Sequence, residues 1–465
     1  MITLRHIYTL LFFAGLFFIP FNNFEGLSFL GEYKNEAASY FFLIGFGILC
    51  VDSVLKGKIN LPYRNLIFQL VCLFILWTII ATLFNLPTVL DSYYKQTSGI
   101  SRFVRQFISL TLSAFVFLSL FWNVVRKMSL EQILRTFRTV ILAGLIFAFV
   151  YGVIETAVVV FGVGQLLPIL KLFEFFPFVN VSLDNLGRIS SVTYEVPSLG
   201  NYLITISAWM FSYIITEKSK LRFIPTLMVL FLMLFSGSRT ALVNVTLQLL
   251  VFLTALYFST EYRQQVIRLV QASLLVFGVL FIFNAKTIIN VAEKKIESLD
   301  FTKKTEHDIS NRTRFGMQYA SLQIFKKNPI TGVGLGQETY HKIYEYPNWA
   351  TRDNWEFEYR YKNQQITSFP PTYNIYTRLL SETGIIGFGL FVYIVYLCIS
   401  TSRKLGTKSL NEKEKALCLI LLISFIGLGV NWLQTDFFRQ YGVWFCMAIL
   451  IKLIEERKKS IQTVS

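Results

Sequence analysis

Long apolar runs separated by short polar segments constrain this chain more than any other feature. Twelve runs approach the roughly 20 apolar residues that an α-helix needs to cross the hydrocarbon core of a bilayer. The sequence therefore predicts an all-α polytopic membrane protein with about twelve transmembrane helices. The predicted spans are 7–24, 38–55, 65–84, 107–125, 139–161, 198–216, 223–236, 240–258, 269–287, 375–400, 416–433 and 443–454.

The composition excludes an ordinary soluble enzyme. Hydrophobic residues make up 54% of the 465 residues and charged residues only 15%, whereas a soluble globular protein carries roughly 25% charged residues. The net charge of +16 does not indicate a nucleic-acid partner, because the basic residues must first be sorted by membrane side. All five cysteines lie in apolar runs, so we interpret them as packing residues.

The basic residues of the short loops predict the orientation in the membrane. They fall in alternate connections, and cytoplasmic loops carry an excess of Lys and Arg, so both termini are predicted to face the cytoplasm. Lys95, Arg102 and Arg105, in the loop 85–106, fall on the opposite face and count against this orientation. The long polar loop 288–374 falls on that opposite face too, since long loops cross a membrane largely regardless of charge.

Arginines are predicted to gather on the face opposite the cytoplasm. The segment 187–197, the turn 236–239 and the long loop with Arg312 and Arg314 all lie there. Arg239 begins a predicted helix, where unpaired backbone N–H groups and the positive end of the helix dipole favour an anion. Such a corner suits a phosphate group. The alternative is that these arginines only anchor helix ends.

The long loop carries a predicted amphipathic helix. Residues 312–327 place four apolar side chains at helical spacing, and Pro329 ends the pattern. These side chains are Phe315, Tyr319, Leu322 and Phe325. We expect this helix to lie on the membrane surface. The glycine-rich stretch 332–336 is predicted to be a tight turn, because no strand and helix flank it as in a nucleotide-binding loop.

Carboxylates and aromatic rings alternate in the rest of the loop, a combination that suits sugars. A loop that packs on itself is the alternative. With only three histidines in the chain and no Cys/His cluster, we expect no metal centre. The residues of this stretch are Glu338, His341, Asp353, Glu356 and Glu358, interspersed with Tyr340, Tyr344, Tyr346, Trp349, Trp355, Tyr359 and Tyr361.

Three motifs in order resemble a known family. The first is Phe-Ser-Gly-Ser-Arg-Thr-Ala-Leu at 235–242, the second is Arg314 followed by Asn-Pro-Ile-Thr-Gly-Val-Gly at 328–334, and the third is Tyr373-Asn374 followed by Gly-Ile-Ile-Gly at 384–387. Their order and spacing resemble the bacterial O-antigen polymerase and ligase superfamily, most strongly over about 225–390.

The resemblance implies a multi-pass glycosyltransferase of the bacterial inner membrane whose active face is periplasmic. Its substrates would be oligosaccharides linked through diphosphate to undecaprenol, and it would need neither a metal nor another cofactor. Membrane lipids and a chain-length regulator are further candidate partners, and nucleic acid is not expected. The predicted parts are helices 1–6 (1–222), a polymerase/ligase-like core with a periplasmic loop containing short helices (223–400), and helices 11–12 (401–465).

The resemblance also implies roles for individual residues. Arg239 would contact the donor diphosphate, and Arg314 would assist from the large loop. Arg188 and Glu195 would match the motif before the sixth helix. The predicted substrate-binding set is completed by Arg312, Tyr373 and Asn374.

The sequence departs from the ligase branch at one position. That branch has a histidine before the Asn of the third motif, where this chain has Tyr373. A tyrosine with a pKa near 10 is a poor base at neutral pH, so we favour a polymerase. A ligase that transfers glycan to lipid A-core and a lipid-linked oligosaccharide transporter are the alternatives. For the acceptor base we favour Glu195, with His341 or no dedicated base as alternatives.

Overall fold

Helices make up most of the chain in a computed structural model, which describes residues 3–183, 187–259, 262–264, 267–268, 271, 306–409 and 411–462. Two π-helical segments, Leu112–Phe117 and Glu356–Tyr361, and four short 3-10 segments complete the helical structure. One two-residue hairpin joins β1 (Tyr93–Tyr94) and β2 (Thr97–Ser98). The α-helices are α1 (Leu4–Phe17), α2 (Ala37–Leu55), α3 (Leu66–Phe84), α4 (Leu86–Asp91), α5 (Gly99–Thr111), α6 (Leu118–Val125), α7 (Leu130–Val159), α8 (Leu167–Lys171), α9 (Val196–Phe211), α10 (Tyr213–Thr216), α11 (Ile224–Ser236), α12 (Arg239–Tyr257), α13 (Glu306–Lys327), α14 (Glu338–Lys342), α15 (Asn348–Thr351), α16 (Ile375–Lys408), α17 (Glu412–Asn431) and α18 (Tyr441–Gln462).

Eight helical stretches in the described part are long and apolar enough to cross a membrane. Helix α1 is apolar but only 14 residues long, and the predicted span 269–287 lies outside the described residues. The all-α class is therefore confirmed, while the count of twelve spans stays a prediction. The eight stretches are Ala37–Leu55, Leu66–Phe84, Gly99–Val125, Leu130–Val159, Val196–Thr216, Arg239–Tyr257, Ile375–Lys408 and Glu412–Asn431.

The chain folds into two compact units, and neither is continuous in sequence. The first unit comprises Met1–Trp77, Val104–Leu249 and Gly389–Ser465. The second comprises Thr78–Phe103 and Leu250–Phe388. The predicted three-part division follows the order of the helices along the chain and stays a prediction.

Aromatic rings fill the core of the first unit. The Phe12 ring lies 5.1 Å from Phe121 and 5.5 Å from Phe137, and Phe137 stacks on Trp209 at 5.5 Å. Helices that are apolar on every side can pack in this way, because no polar face has to be kept in water. Gly15 permits the closest approach of α1 and α2, since a Cβ there would lie 2.3 Å from the Phe42 ring.

Irregular backbone is prominent in the second unit, at the glycine-rich turn 332–336. The glycines of the stretch 332–336 have φ angles of 67°, 99° and 77°, which a residue with a side chain rarely adopts. The N–H groups of Val333 and Gly334 donate to the carbonyls of Ser381 and Glu382 at 2.9 Å each. The predicted tight turn is confirmed, and it is tied to the first turns of α16.

The predicted amphipathic helix lies within α13, which ends at Lys327 before Pro329, as predicted. Phe315, Tyr319 and Leu322 are exposed along one stripe of the helix. The Tyr319 ring also lies 6.3 Å from the ring of Trp349. The position of the helix on the membrane surface stays a prediction.

Candidate functional site

Two of the predicted arginine segments meet in the first unit. Gly237 ends α11 in the left-handed region at φ 63°, where its missing side chain leaves room for the Arg188 methylene groups. A Cβ at Gly237 would lie 3.2 Å from Cγ and Cδ of Arg188. The N–H of Ile189 also donates to the carbonyl of Phe235 at 3.4 Å. We call this place the arginine corner: residues 188–190 against 235–239.

Helix α12 begins at the arginine corner. Arg239 is its first residue and is half-buried. The Ser238 hydroxyl accepts a hydrogen bond from the N–H of Ala241 at 3.2 Å, as serine does at a helix N-cap. The corner therefore combines two arginines with the positive end of a helix dipole, which agrees with the predicted anion site.

A carboxylate that no sequence motif indicated shapes this corner. Glu155 of α7 is completely buried and accepts hydrogen bonds from the N–H groups of Ser190 at 3.1 Å and Ser191 at 2.7 Å. It thereby fixes the backbone next to Arg188. A single acidic residue inside the apolar run 139–161 was the available signal, since ionisable groups within membrane spans usually have a specific role.

Glu195 stands at the N-cap position of α9 with an exposed side chain and extended backbone. Its own carbonyl accepts a hydrogen bond from the Thr193 hydroxyl at 3.0 Å. The neighbouring N–H of Tyr194 donates to the Asn22 side chain at 2.7 Å. The backbone around Glu195 is thus held in place, and the residue as a whole is exposed.

The remaining predicted residues lie in the second unit. Arg312 donates from its two terminal nitrogens to the backbone carbonyls of Arg352 at 3.3 Å and Asp353 at 3.2 Å. These bonds hold the loop that follows α15. Its predicted substrate-binding role stays a prediction.

Arg314 lies two residues further along α13 and stacks on an aromatic ring. Its guanidinium carbon is 5.1 Å from the centre of the Tyr373 ring, within the range of a cation–π contact. The hydroxyls of Tyr373 and Tyr361 are hydrogen-bonded at 2.7 Å. Burial, with the neighbouring Tyr361, raises the pKa of the Tyr373 phenol, although Arg314 acts in the opposite direction. The phenol is therefore protonated at neutral pH.

Tyr373 also has an unusual backbone, with φ at 59°. Asn374 follows it and caps α16: its side-chain oxygen accepts hydrogen bonds from the N–H groups of Tyr376 at 2.9 Å and Thr377 at 3.3 Å. Its amide nitrogen donates to Gln318 at 3.3 Å. The structure thus gives Asn374 a capping function, and substrate binding by it stays a prediction.

His341 belongs to α14 and is partly buried. Within the described residues its Nε2 atom is buried and has no hydrogen-bond partner. Burial is the main effect that lowers the pKa of this imidazole below its usual value of 6.5. A neutral ring nitrogen suits proton acceptance, so His341 keeps its place as the alternative base.

Glu338 is buried, which agrees with the alternative for this stretch, a loop that packs on itself. It is 3% exposed, pairs with Lys342 at 2.6 Å and accepts a hydrogen bond from Ser381 at 2.6 Å. Helical spacing of four residues brings the two charges together. The pair is buried because Lys342 sits on the inner face of α14, which no local sequence pattern indicated.

Lys95 is a second residue whose place in the fold the sequence did not indicate, because the loop charges predicted only that it opposes the orientation in the membrane. It is 1% exposed. Its ammonium group donates to the backbone carbonyls of Arg360, Asn363 and Ile366 at 2.8 Å each. Counting loop charges assumes that they face water, and Lys95 does not.

Among the residues that the structure describes, no group of three His, Cys, Asp or Glu side chains is placed to hold a metal ion. Residues 224–392 match the model of a protein family described as O-antigen ligase. This region runs from α11 into α16 and includes all three sequence motifs. A search of curated proteins gave no match to the chain.

Proposed function

Because residues 224–392 identify the chain as a member of the O-antigen polymerase and ligase superfamily, we propose that it is an O-antigen polymerase. It joins undecaprenyl-diphosphate-linked oligosaccharide repeat units at the periplasmic face of the inner membrane. The product is O-antigen or a related surface polysaccharide.

The environment of Tyr373 is the observation that favours a polymerase over a ligase. The resemblance puts a histidine at this position in ligases. Here the phenol is hydrogen-bonded to Tyr361 at 2.7 Å, and burial raises its pKa. A group that stays protonated at neutral pH cannot accept the proton of the acceptor hydroxyl, so this chain lacks the base of the ligase branch.

The proposed reaction is a glycosyl transfer. An acceptor hydroxyl attacks the anomeric carbon, the bond from that carbon to the diphosphate oxygen breaks, and the diphosphate leaves with the bonding electrons. Arg188 and Arg239 stabilise the charge on the leaving group, together with the N-terminus of α12. Each charge-assisted hydrogen bond contributes about 1.5–3 kcal/mol. A further role for Arg314 in the reaction rests on the resemblance alone.

The acceptor hydroxyl must lose a proton during this transfer. Glu195 is the proposed base, because the residue is exposed at the N-cap of α9 and its backbone is held by neighbouring contacts. His341 is the alternative, because burial lowers its pKa and so keeps the ring neutral.

The surface glycan of a deletion strain tests the proposal. A polymerase defect leaves lipid A-core carrying single repeat units, and the wild-type gene restores long chains. Long lipid-linked polymer with no glycan on lipid A-core contradicts the proposal and indicates the second candidate function, an O-antigen ligase, which the description of the matching family favours.

The proposed periplasmic face has its own test. In a Trp349→Cys variant, the new thiol is expected to react with a membrane-impermeant maleimide added to cells whose outer membrane alone is permeabilised. Trp349 is half exposed, so the reagent can reach this position. Reaction only after the inner membrane is opened would contradict both the orientation and the proposed chemistry.

A further inference from the structure

Three backbone carbonyls form a cage around the Lys95 ammonium, which also lies 5.8 Å from the centre of the Tyr94 ring. Lys95 follows β1 and has a left-handed backbone with φ at 48°, which aims its side chain into the second unit. An ammonium group has three N–H donors, and three carbonyls at 2.8 Å receive them. Burial is the main effect that lowers the pKa of Lys95.

The three carbonyls belong to a segment that is largely without regular secondary structure, although the Tyr361 side chain packs in a buried cluster with Met317 and Phe357. Residues 360 and 361 end the π-helical segment, and residues 362–374 contain neither helix nor strand. Carbonyls at the end of a helical segment lack intrahelical partners, and a cation placed there is favourable. The lysine therefore replaces the hydrogen bonds that regular structure would supply.

Contacts lead step by step from this cage to Arg314. The Tyr94 hydroxyl donates to the carbonyl of Tyr361 at 2.8 Å, next to the carbonyl of Arg360 that Lys95 holds. The Tyr361 hydroxyl is hydrogen-bonded to the Tyr373 hydroxyl. Tyr373 in turn lies under the Arg314 guanidinium. All of these residues belong to the second unit.

We propose that Lys95 is a positioning residue: an internal cation that fixes residues 360–366 and, through Tyr361 and Tyr373, the direction of the Arg314 guanidinium. The effect on the reaction rests on the proposed function of Arg314. The fixing of residues 360–366 does not, and it is measured separately.

The first experiment needs no activity. In the purified full-length Lys95→Ala variant, three carbonyls lose their donors, and the segment should open. Arg360 and Lys362 are exposed, so limited trypsin cleavage after them reports the opening. We expect cleavage at least ten times faster than in the wild type. Lys326→Ala, which removes an exposed lysine from α13, is the matched control and should leave this rate unchanged.

Chemical rescue identifies the ammonium as the active part. Propylammonium replaces the four atoms that Lys95→Ala removes, and it should return the cleavage rate towards that of the wild type. Propanol fills a similar volume without the charge and should not. Wild-type cleavage rates in Lys95→Ala, or equal rescue by propanol, overturn the proposal.

If Lys95→Ala does not fold, Lys95→Gln keeps the test available. Glutamine offers two neutral N–H donors in place of three charged ones, so an intermediate cleavage rate is expected. A rate equal to that of the wild type would overturn the proposal.

The second experiment measures polymer formation with the reconstituted enzyme. If Lys95 acts through Arg314, then Lys95→Ala lowers kcat, propylammonium restores it, and the Lys95→Ala/Arg314→Ala double variant is no worse than Arg314→Ala. Normal activity of Lys95→Ala with accelerated cleavage, beside a damaged Arg314→Ala, refutes the positioning role. Normal activity of Arg314→Ala refutes the proposed function of Arg314 and leaves the cage result standing.

Discussion

Each unit contains a buried ionisable side chain that holds irregular backbone beside an arginine of the predicted site, and the two charges have opposite signs. In the first unit, Glu155 accepts from the N–H groups of Ser190 and Ser191, next to Arg188. In the second, Lys95 donates to three carbonyls of the segment that contains Tyr361. The carboxylate organises donors and the ammonium organises acceptors, so both satisfy backbone groups that no helix or strand satisfies.

Glu155 and Lys95 lie on different kinds of secondary structure. Glu155 projects from a 30-residue helix and reaches a segment 35 residues away, whereas Lys95 projects from a two-residue hairpin and reaches a segment more than 260 residues away. The long helix positions the Glu155 side chain by itself. The short hairpin that carries Lys95 depends for its own position on the contacts with residues 360–366. We therefore expect Glu155 to act mainly on stability and Lys95 mainly on local order.

Glu155→Gln is the strongest test of this comparison. Glutamine retains one acceptor oxygen and turns an N–H group towards the other backbone donor, so we expect a loss of about 2–4 kcal/mol in the free energy of unfolding. Thermal unfolding in detergent measures it. Glu174→Gln is the matched control, because the Glu174 carboxylate also accepts a backbone N–H, that of Val181, but at an exposed place. Equal losses in both variants would refute the special role of burial.

Glu195→Gln asks whether the Glu195 carboxylate takes the acceptor proton. The change preserves shape and removes the proton acceptor, so polymer formation should fall by roughly 100-fold, the lower end of general-base effects. Initial rates with a lipid-linked substrate measure it. Near-normal rates beside a severe loss in His341→Ala would transfer the role to His341 in the second unit, and mild effects in both would indicate that no dedicated base is needed.

Arg239→Lys tests the anion site of the first unit. Lysine keeps the charge but loses the planar pair of donors that matches two phosphate oxygens, and the loss of one charge-assisted bond corresponds to a decrease of about 10–100-fold in rate. Chain length on gels and initial rates provide the measurement. Arg222→Lys, at the short loop before α11, is the control. Normal chain length at an unchanged protein level would make Arg239 a helix anchor.

Arg312→Met tests a weaker contact between a charged side chain and the backbone in the second unit. Arg312 is only partly buried, so water can replace its two bonds to the carbonyls of Arg352 and Asp353, and we expect a loss of about 1 kcal/mol in unfolding free energy. The control is Arg352→Met, because the Arg352 side chain is 86% exposed. A loss as large as that of Glu155→Gln would show that burial does not separate the two classes.

The smallest expected effect concerns His341. Its pKa is lower in the folded state than the usual 6.5, so the unfolded chain takes up a proton first as the pH falls. The stability that the neutral ring contributes is present above about pH 6.5 and is lost below it. His341→Gln should remove that part of the pH dependence of the unfolding midpoint, and an unchanged profile would contradict the burial of the ring.

The sequence predicted the helices well because membrane spans depend on a local property, the length of an apolar run. It also predicted the end of α13 at Lys327 and the turn at 332–336, since proline and glycine act on the backbone nearby. It located the arginines through motifs but not their partners. The bonds from Arg312 to residues 352 and 353 depend on packing 40 residues away.

The positions of buried charged side chains were the hardest feature to predict from the sequence. Rules for loop charges treat every basic residue as solvated, and this assumption failed at Lys95. Glu155 differs, because an acidic residue within an apolar run was visible and only its partners were not. Glu338 and Lys342 show the same limit, since a spacing of four residues on a helix allows contact but does not indicate burial.

The two glycines at 332 and 384 bring backbone directly against backbone. A Cβ at Gly384 would lie 2.1 Å from the carbonyl oxygen of Ile330, and one at Gly332 would lie 2.5 Å from the carbonyl of Ser381. Side chains that lie between two backbone segments can usually change rotamer when the segments move. No side chain of the described residues lies between these two segments. The contact between the 332–336 turn and α16 is therefore stiff. We expect a displacement of the turn to shift the adjoining part of α16, because no side chain can change rotamer to absorb it.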